Sequence, residues 1–436
     1  MSKDSEYNRD FWPVPFWAMD QRIWYQYVDS LDDQHRRDLD VYPFKWAYTP
    51  PFDAETGVRF LNEIGVDKGR VGADAVQDQF QGMPTFEELL LQGVVEWGAP
   101  DADDTPSDGF CMIPEWAPMM GVLLNWPTFY PPLWDTFRQM LLALNHVTVF
   151  LRIPEGFLGA AVLAWLGAVD IDLNKVRALP GPLGDIWARD YSPIYGADIY
   201  TGEPTALKFA FAAYSPAYRA TFRPTVDVDN AFTWTEGFKT YRSRILLDGG
   251  NLITDGNGTY VLTRRVLRDN ADVPNLYARL EQWLGAERLM FIDEEPGDRI
   301  GHINHLKFIA PHKILIGIPD EKDSPRLRYL RDLHNQFEIY GYEVIGMPFP
   351  ESLGRPHVGG EDVGPALYAN SLQVNGRLLA PTFGIDEYDG AALEIYRNAL
   401  PDYNVIGIDA SILINDGGAI NCSTKEIPDV SKAILG

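Results

Sequence analysis

The sequence predicts a mixed α/β protein assembled from hairpin-and-helix units. Two observations carry that expectation. From Ile113 onward, short β-branched runs alternate with stretches whose apolar residues recur every three or four positions. Three tight hairpins stand among them, and strand pairs followed by a helix and another strand repeat several times without sequence identity. This is not the pattern of a dinucleotide-binding sheet, and neither the glycine fingerprint of such sheets nor a phosphate-binding P-loop occurs.

In chain order, strands are expected over 121–127 (GVLLNWP), 146–153 (HVTVFLRI), 205–211 (TALKFAF), 342–349 (YEVIGMPF) and 403–410 (YNVIGIDA). Helices are expected over 131–145, 273–285, 324–341 and 387–401, where the apolar spacing defines one buried face. The hairpins turn at Asp255 to Gly258, at Ala310 to His312, and at the Asn375-Gly376 pair, a dipeptide that tolerates the left-handed backbone of a two-residue turn. Residues 1–110 differ in character. They are rich in Trp, Tyr and Pro and end in the acidic stretch GAPDADDTPSDG, which reads as a loop or linker closing an N-terminal extension packed on a main domain of residues 111–436.

With 436 residues, 46% of them hydrophobic, the chain can bury a full core. No run approaches the eighteen apolar residues of a membrane span, and the opening MSKDSEYNRD lacks the order of a signal peptide, so a soluble cytoplasmic protein is expected. A formal net charge of −25 argues against nucleic acid and anionic membranes and is compatible with a small cationic ligand. Two cysteines cannot form a disulfide framework, and with seven histidines they leave little for a zinc site. Nothing here selects an oligomeric state, and a homo-oligomer is compatible with the sequence.

Four stretches combine polar residues with expected strand ends: GDIWARDYSPI (184–194), LLDGGNLITDGNGT (246–259), GHINHLKF (301–308) and NDGGAINCSTKEIP (415–428). Each has a plain structural reading when taken singly. A histidine at a strand start is commonly a bonded core residue, an Arg-Asp pair an ion pair, Gly-Gly a bulge, and a lone cysteine a small buried hydrophobe. In GHINHLKF a strand period of two puts His302 and Asn304 on one face and His305 on the other, which disfavours a His-x-x-His metal pair.

Their order and wording together resemble the agmatine deiminase and bacterial peptidylarginine deiminase family of the guanidine-modifying superfamily. The resemblance runs from Ile113 to the C-terminus and has five ordered matches. MIPEWAPMMGVLLNWP is similar to the family's opening segment, WARDYSPI to its Trp-x-Arg-Asp strand, and LDGGN to its acidic-Gly-Gly segment. GHINHLKF is similar to its Gly-His-x-Asp segment, and NDGGAINCSTKEIP to its terminal Gly-Gly-x-x-x-Cys-x-Thr segment. The fold it implies is a pseudo-fivefold β/α-propeller with the substrate at its centre.

The same resemblance implies a cysteine-dependent hydrolase needing no metal or organic cofactor. Cys422 would attack an electron-poor guanidine or amidine carbon to form a covalent adduct, and His302 would protonate the departing nitrogen and later activate water. Asp190 would grip the guanidinium N–H groups, Trp187 would stack on the substrate plane from the same strand face, and Asp248 would orient His302 or the substrate. Asn421 would place the nucleophile through its side-chain amide. Arg355, in the Gly-rich loop SLGRPHVGGEDVG with His357, would meet a substrate carboxylate or shape a lid. Cys111 is expected to be an inert packed thiol.

One position departs from the family pattern. His-x-Asp reads His302-Ile303-Asn304, so a second clamping carboxylate is replaced by an amide that both donates and accepts. Two substrate readings follow: an ordinary guanidino compound that loses ammonia, and a neutral amidine-like ring carbon, such as C2 of a 2-substituted imidazole or nitroimidazole, that loses another group. A third reading, of another class, is a non-catalytic binding protein for guanidino compounds. Conventional deimination is the leading expectation.

Overall fold

The computed structural model describes residues 104, 106, 109–127, 133–153, 156–180, 186–211, 237–298, 300–320, 324–350 and 365–433. Apart from residues 104, 106, 109 and 110, the expected N-terminal extension lies outside the described residues, as does the loop carrying Arg355 and His357.

Five sheets share one wiring. In each, a first strand pairs antiparallel with a second, and the second pairs parallel with a third. Leu306–Ala310, Lys313–Ile318 and Glu343–Pro348 form one such sheet, with helix Pro325–Ile339 crossing from the second strand to the third. Leu372–Val374, Arg377–Thr382 and Asn404–Asp409 repeat it around helix Asp386–Ala399. Ile253–Thr254, Thr259–Thr263 and Arg288–Ile292 repeat it around helices Arg265–Asp269 and Leu276–Leu284. Ile194–Asp198, Pro204–Ala210 and Lys239–Leu246 do so with Phe110–Met112 added at the edge. The fifth sheet joins the chain's two ends: Thr424–Pro428 is its first strand, followed by Met119–Asn125, Thr148–Ile153 and Val176–Pro180. This fivefold repetition of one unit is the expected β/α-propeller.

The parallel second and third strands require a crossover, and the crossover helix covers the sheet with its apolar face. Helix Trp134–Ala143 buries Trp134, Phe137, Met140 and Leu141, and Pro325–Ile339 buries Leu330, Leu333 and Phe337. Each such side chain contributes roughly 1.5–3 kcal/mol on burial. Ser324 begins the second of these helices by accepting a hydrogen bond from the Leu327 N–H, with Pro325 at the first helical position. At the Asn375-Gly376 turn φ is 43° and 78°, the left-handed pair that a two-residue hairpin demands.

Two local expectations are corrected. WARDY is not a strand but a single helical turn, Ala188–Tyr191, with Trp187 at its N-cap, so Trp187 and Asp190 do not share a strand face. Residues 301–304 precede the strand Leu306–Ala310 and do not belong to it. No helix of the described residues is long and apolar enough to cross a membrane.

Candidate active site

The repeated wiring places a candidate site residue just ahead of the first strand of every sheet. Asp190 lies shortly before Ile194, Asp248 before Ile253, His302 and Asn304 before Leu306, Asn370 before Leu372, and Cys422 before Thr424. These entries converge, and the contacts among them run from one sheet to the next.

His302 is buried between two carboxylates. Its Nδ1 lies 3.6 Å from Asp190 Oδ1 and its Nε2 3.4 Å from Asp248 Oδ2. Burial opposes charging of the imidazole, but Asp190, then Asp248, outweigh it and hold the group above its ordinary value, towards the imidazolium. Asp298 accepts the His302 backbone N–H at 3.1 Å and fixes the start of the segment.

The Gly-Gly of LDGGN is explained by how closely its neighbours approach. A Cβ on Gly249 would come within 2.1 Å of the Arg189 carbonyl oxygen, and one on Gly250 within 2.6 Å of both Asp190 Oδ1 and His302 Nδ1. Gly250→Ala is therefore expected to destabilise the protein by about 1–3 kcal/mol through overpacking, read as a lower denaturant midpoint. An unchanged midpoint would mean that the Asp190–His302 pair yields freely.

Cys422 sits in the turn before Thr424, held from two sides. Its backbone N–H donates to Asn370 Oδ1 at 3.2 Å, its sulfur accepts from Asn370 Nδ2 at 3.1 Å, and its S–H faces Asn304 Oδ1 at 3.4 Å. Arg189 anchors the other side: its backbone N–H donates to the Cys422 carbonyl at 3.2 Å and its Nε–H to the Asn421 carbonyl at 2.8 Å. The Arg189 guanidinium pairs with Glu426 at 2.6 Å and Glu115 at 3.5 Å, and Lys307 also pairs with Glu115. Burial raises the Glu115 carboxyl, but Lys307 and then Arg189 more than offset this and keep it ionised. Burial, then the Asp190 charge, pushes the Cys422 thiol up to about 12, so the resting sulfur is protonated.

The structure brings Cys422, His302, Asp190, Asp248 and Asn304 together. Asn304 lies against the cysteine and His302 between Asp190 and Asp248, whereas His305 turns away to Glu295 and Tyr329, although the segment is not in the sheet. Trp187 is close by, its ring where a Cβ on Gly418 would clash at 2.5 Å. The expectation for Asn421 is corrected: its side-chain amide donates to Glu115 Oε1 at 3.0 Å and to the Ser371 carbonyl at 3.2 Å, away from the thiol. Asn370 takes the place assigned to it. Sequence reasoning missed Asn370, although it precedes its strand by two residues, as Asn304 and Cys422 precede theirs. Cys111 is half-buried in the strand Phe110–Met112, and burial raises its thiol as well.

Among the described residues no group of three or more His, Cys, Asp and Glu side chains is arranged to hold a metal ion. The arrangement offers instead a thiol, an imidazole inclined to carry a proton, and two carboxylates suited to a ligand bearing N–H donors.

Known proteins show the same architecture. A protein of Shewanella frigidimarina assigned as an agmatine deiminase is 27% identical over 368 residues, covering 74% of this chain and 95% of its own. A second, from Vibrio parahaemolyticus, is 26% identical over 365 residues and covers 98% of its own length. The structure of C. jejuni agmatine deiminase superposes with a TM-score of 0.63 at 20% identity, covering 73% of this chain and 96% of that one, a likeness of fold. The description of the Porphyromonas-type peptidyl-arginine deiminases matches residues 111–428, from the first described strand to the last, and the chain belongs to that family.

Proposed function

We propose that this chain is a cysteine-dependent hydrolase acting on a planar guanidine or amidine carbon, releasing ammonia from a small guanidino compound. The observation that carries the reading is that Cys422 lies against Asn304, two residues from His302, and that Asp190, which with Asp248 holds His302, also acts on the Cys422 thiol. Membership of the family and similarity to proteins named as agmatine deiminases support it. A cytoplasmic location fits a chain that keeps two free thiols and no disulfide among its described residues.

The chemistry follows from the charges. A bound guanidinium replaces solvent beside Asp190 and Asp248, and its positive charge lowers the thiol pKa, so Cys422 loses its proton to solvent as the substrate enters. The thiolate adds to the central carbon. The imidazolium of His302 passes its proton to one nitrogen, which leaves as ammonia and gives a thiouronium adduct. Water then adds while His302 takes a proton back, and the thiolate departs from a urea product. Atoms balance as guanidinium plus water giving urea and ammonium. The test is incubation with agmatine and related guanidines, assayed for ammonia and for a mass increment on the peptide carrying Cys422. Absence of both across guanidines and amidines would leave only the non-catalytic binding reading.

One observation favours a second reading. Asn304 Oδ1 accepts from Asn370 Nδ2 at 3.0 Å, so the group Asn304 has left to offer a ligand is its own NH₂. A donor there, opposite carboxylate acceptors, suits a neutral amidine-like ring such as a 2-substituted imidazole, with an N–H on one side and a bare nitrogen on the other. The leaving group would then be the ring's C2 substituent. Asn304→Asp separates the readings. If the natural substrate is such a ring, turnover should fall by the equivalent of roughly 2 kcal/mol or more for an unpaired buried acceptor, while a simple guanidine binds better. Loss on both substrate types would make Asn304 structural, and gain on both would make the wild-type amide a relic of lost activity.

A further inference from the structure

We propose that Asn370 is the positioning residue of the nucleophile: one amide N–H donates to the Cys422 sulfur, the other sets the orientation of Asn304, and its oxygen holds the Cys422 backbone N–H. This rests on the reading of Cys422 as the nucleophile and deepens it.

The side-chain bonds of Asn370 point to this role. Asn370 is buried, and a buried primary amide must place two donors and an acceptor. A scaffold residue would satisfy the loop around it. Here Nδ2 donates to Cys422 Sγ at 3.1 Å and to Asn304 Oδ1 at 3.0 Å, and Oδ1 accepts from Cys422 N at 3.2 Å. All of these bonds end on Cys422 or Asn304. The Asn370 backbone does the structural work separately, its N–H donating to Leu367 O at 3.0 Å and its carbonyl accepting from Asn421 N at 3.1 Å. The backbone bond at Asn421 and the side-chain bonds at Cys422 therefore tie two successive residues of the nucleophile turn to one residue.

The two bonds at the sulfur have opposite consequences for its ionisation. Asn304 Oδ1 at 3.4 Å can accept only from the S–H form and stabilises the thiol. Asn370 Nδ2 is a donor whichever form is present, and its bond strengthens when sulfur becomes an anion, so it stabilises the thiolate. The environment otherwise works against that anion, through burial and the Asp190 charge. By occupying Asn304 Oδ1, the second N–H of Asn370 also weakens the acceptor that favours the thiol and turns the Asn304 NH₂ towards a ligand.

The test is the rate of iodoacetamide labelling of Cys422 in the full chain at fixed pH, located by peptide mass spectrometry so that Cys111 does not contribute. Below the thiol pKa the rate follows the thiolate fraction, tenfold per unit. Asn370→Asp keeps an acceptor for the Cys422 N–H but sets a carboxylate against the sulfur, and is expected to slow labelling at least tenfold. Asn370→Ala should also slow it, although truncation widens access and would by itself speed it. Turnover of Asn370→Asp should fall at least tenfold, with the deficit narrowing as pH rises and thiolate is recovered. A merely structural Asn370 would give a lower melting temperature with a labelling rate and pH profile like wild type, and that result overturns the proposal. If neither variant folds, Asn304→Ala decides, because loss of the thiol-favouring acceptor should speed labelling, and an unchanged or slower rate overturns the assignment. Labelling does not require turnover. Failure of the nucleophile reading is seen instead as an active Cys422→Ala.

Discussion

Cys422→Ala is expected to lose all measurable turnover and remain folded. The loss should be complete because the scheme has no second nucleophile to fall back on: the other thiol, Cys111, lies in the edge strand Phe110–Met112, on a different segment from the converging entries. The fold should survive because the substitution takes away only one weak N–H···S bond, that of one Asn370 N–H to the sulfur. Without the sulfur, Asn370 Nδ2 still donates to Asn304 Oδ1 and its Oδ1 still accepts the backbone N–H of residue 422. The Arg189 bonds at residues 421 and 422 end on backbone carbonyls, which alanine retains. What is removed is one buried sulfur atom, a change on the order of 1 kcal/mol in a well-packed turn. Thermal melting within a few degrees of wild type, with no ammonia release and no adduct, is the expected pair of results. Wild-type turnover would end the whole functional reading, whereas Cys111→Ala should leave the rate unchanged.

Much of this site was legible in the sequence, because its residues lie in short stretches whose composition is unusual. Gly-Gly after an acidic residue or ahead of a cysteine is written by close approach. Gly250 has His302 and Asp190 against it and Gly418 has Trp187, so larger residues are sterically shut out. The Asn-Gly hairpin and the amphipathic crossover helices were legible for the same local reason, since turn geometry and a single buried face are properties of a few neighbouring residues. Helix Gly156–Ala168 was not among the expected helices: GFLGAAVLAWLGA is apolar all round and shows no period. WARDY read as a strand because one helical turn is too short for any periodicity to register. Asn370 was invisible because a single Asn before a hairpin is ordinary loop composition. Its significance comes from the register of five sheets, in which the position two residues ahead of the first strand meets the same position in two others. Asn421 misled for the converse reason: adjacency to Cys422 in sequence put its side chain on the opposite side of the turn, against Glu115.

His302→Ala is expected to lower kcat/KM by roughly 10²- to 10⁴-fold, the usual cost of losing a positioned acid and base. The size should depend on what leaves. An amino nitrogen is a poor leaving group until a proton lets it depart as ammonia, so a guanidine should show the larger deficit. A ring substituent that departs as a stable anion needs no proton, and its deficit should lie at the small end, arising mainly from the water-activation step. The pH profile carries the sign. In the proposed scheme activity needs the Cys422 thiol ionised and the His302 imidazole protonated. Burial and Asp190 hold the thiol high, and Asp190 with Asp248 hold the imidazole above its ordinary value. As pH rises the thiolate fraction grows and the rate climbs. Once the imidazolium loses its proton the rate stops climbing and, with a guanidine, declines when the thiol is fully ionised. In His302→Ala the imidazolium no longer titrates, so kcat/KM for a guanidine should rise about tenfold per pH unit through the range where wild type has levelled. The measurement is kcat/KM against pH for both proteins, with Asp248→Asn as a companion. Removing one of the two carboxylates beside the ring lowers the imidazole pKa, so the levelling should move to lower pH without disappearing. Persistence of the wild-type break in His302→Ala would assign the proton transfer to another group.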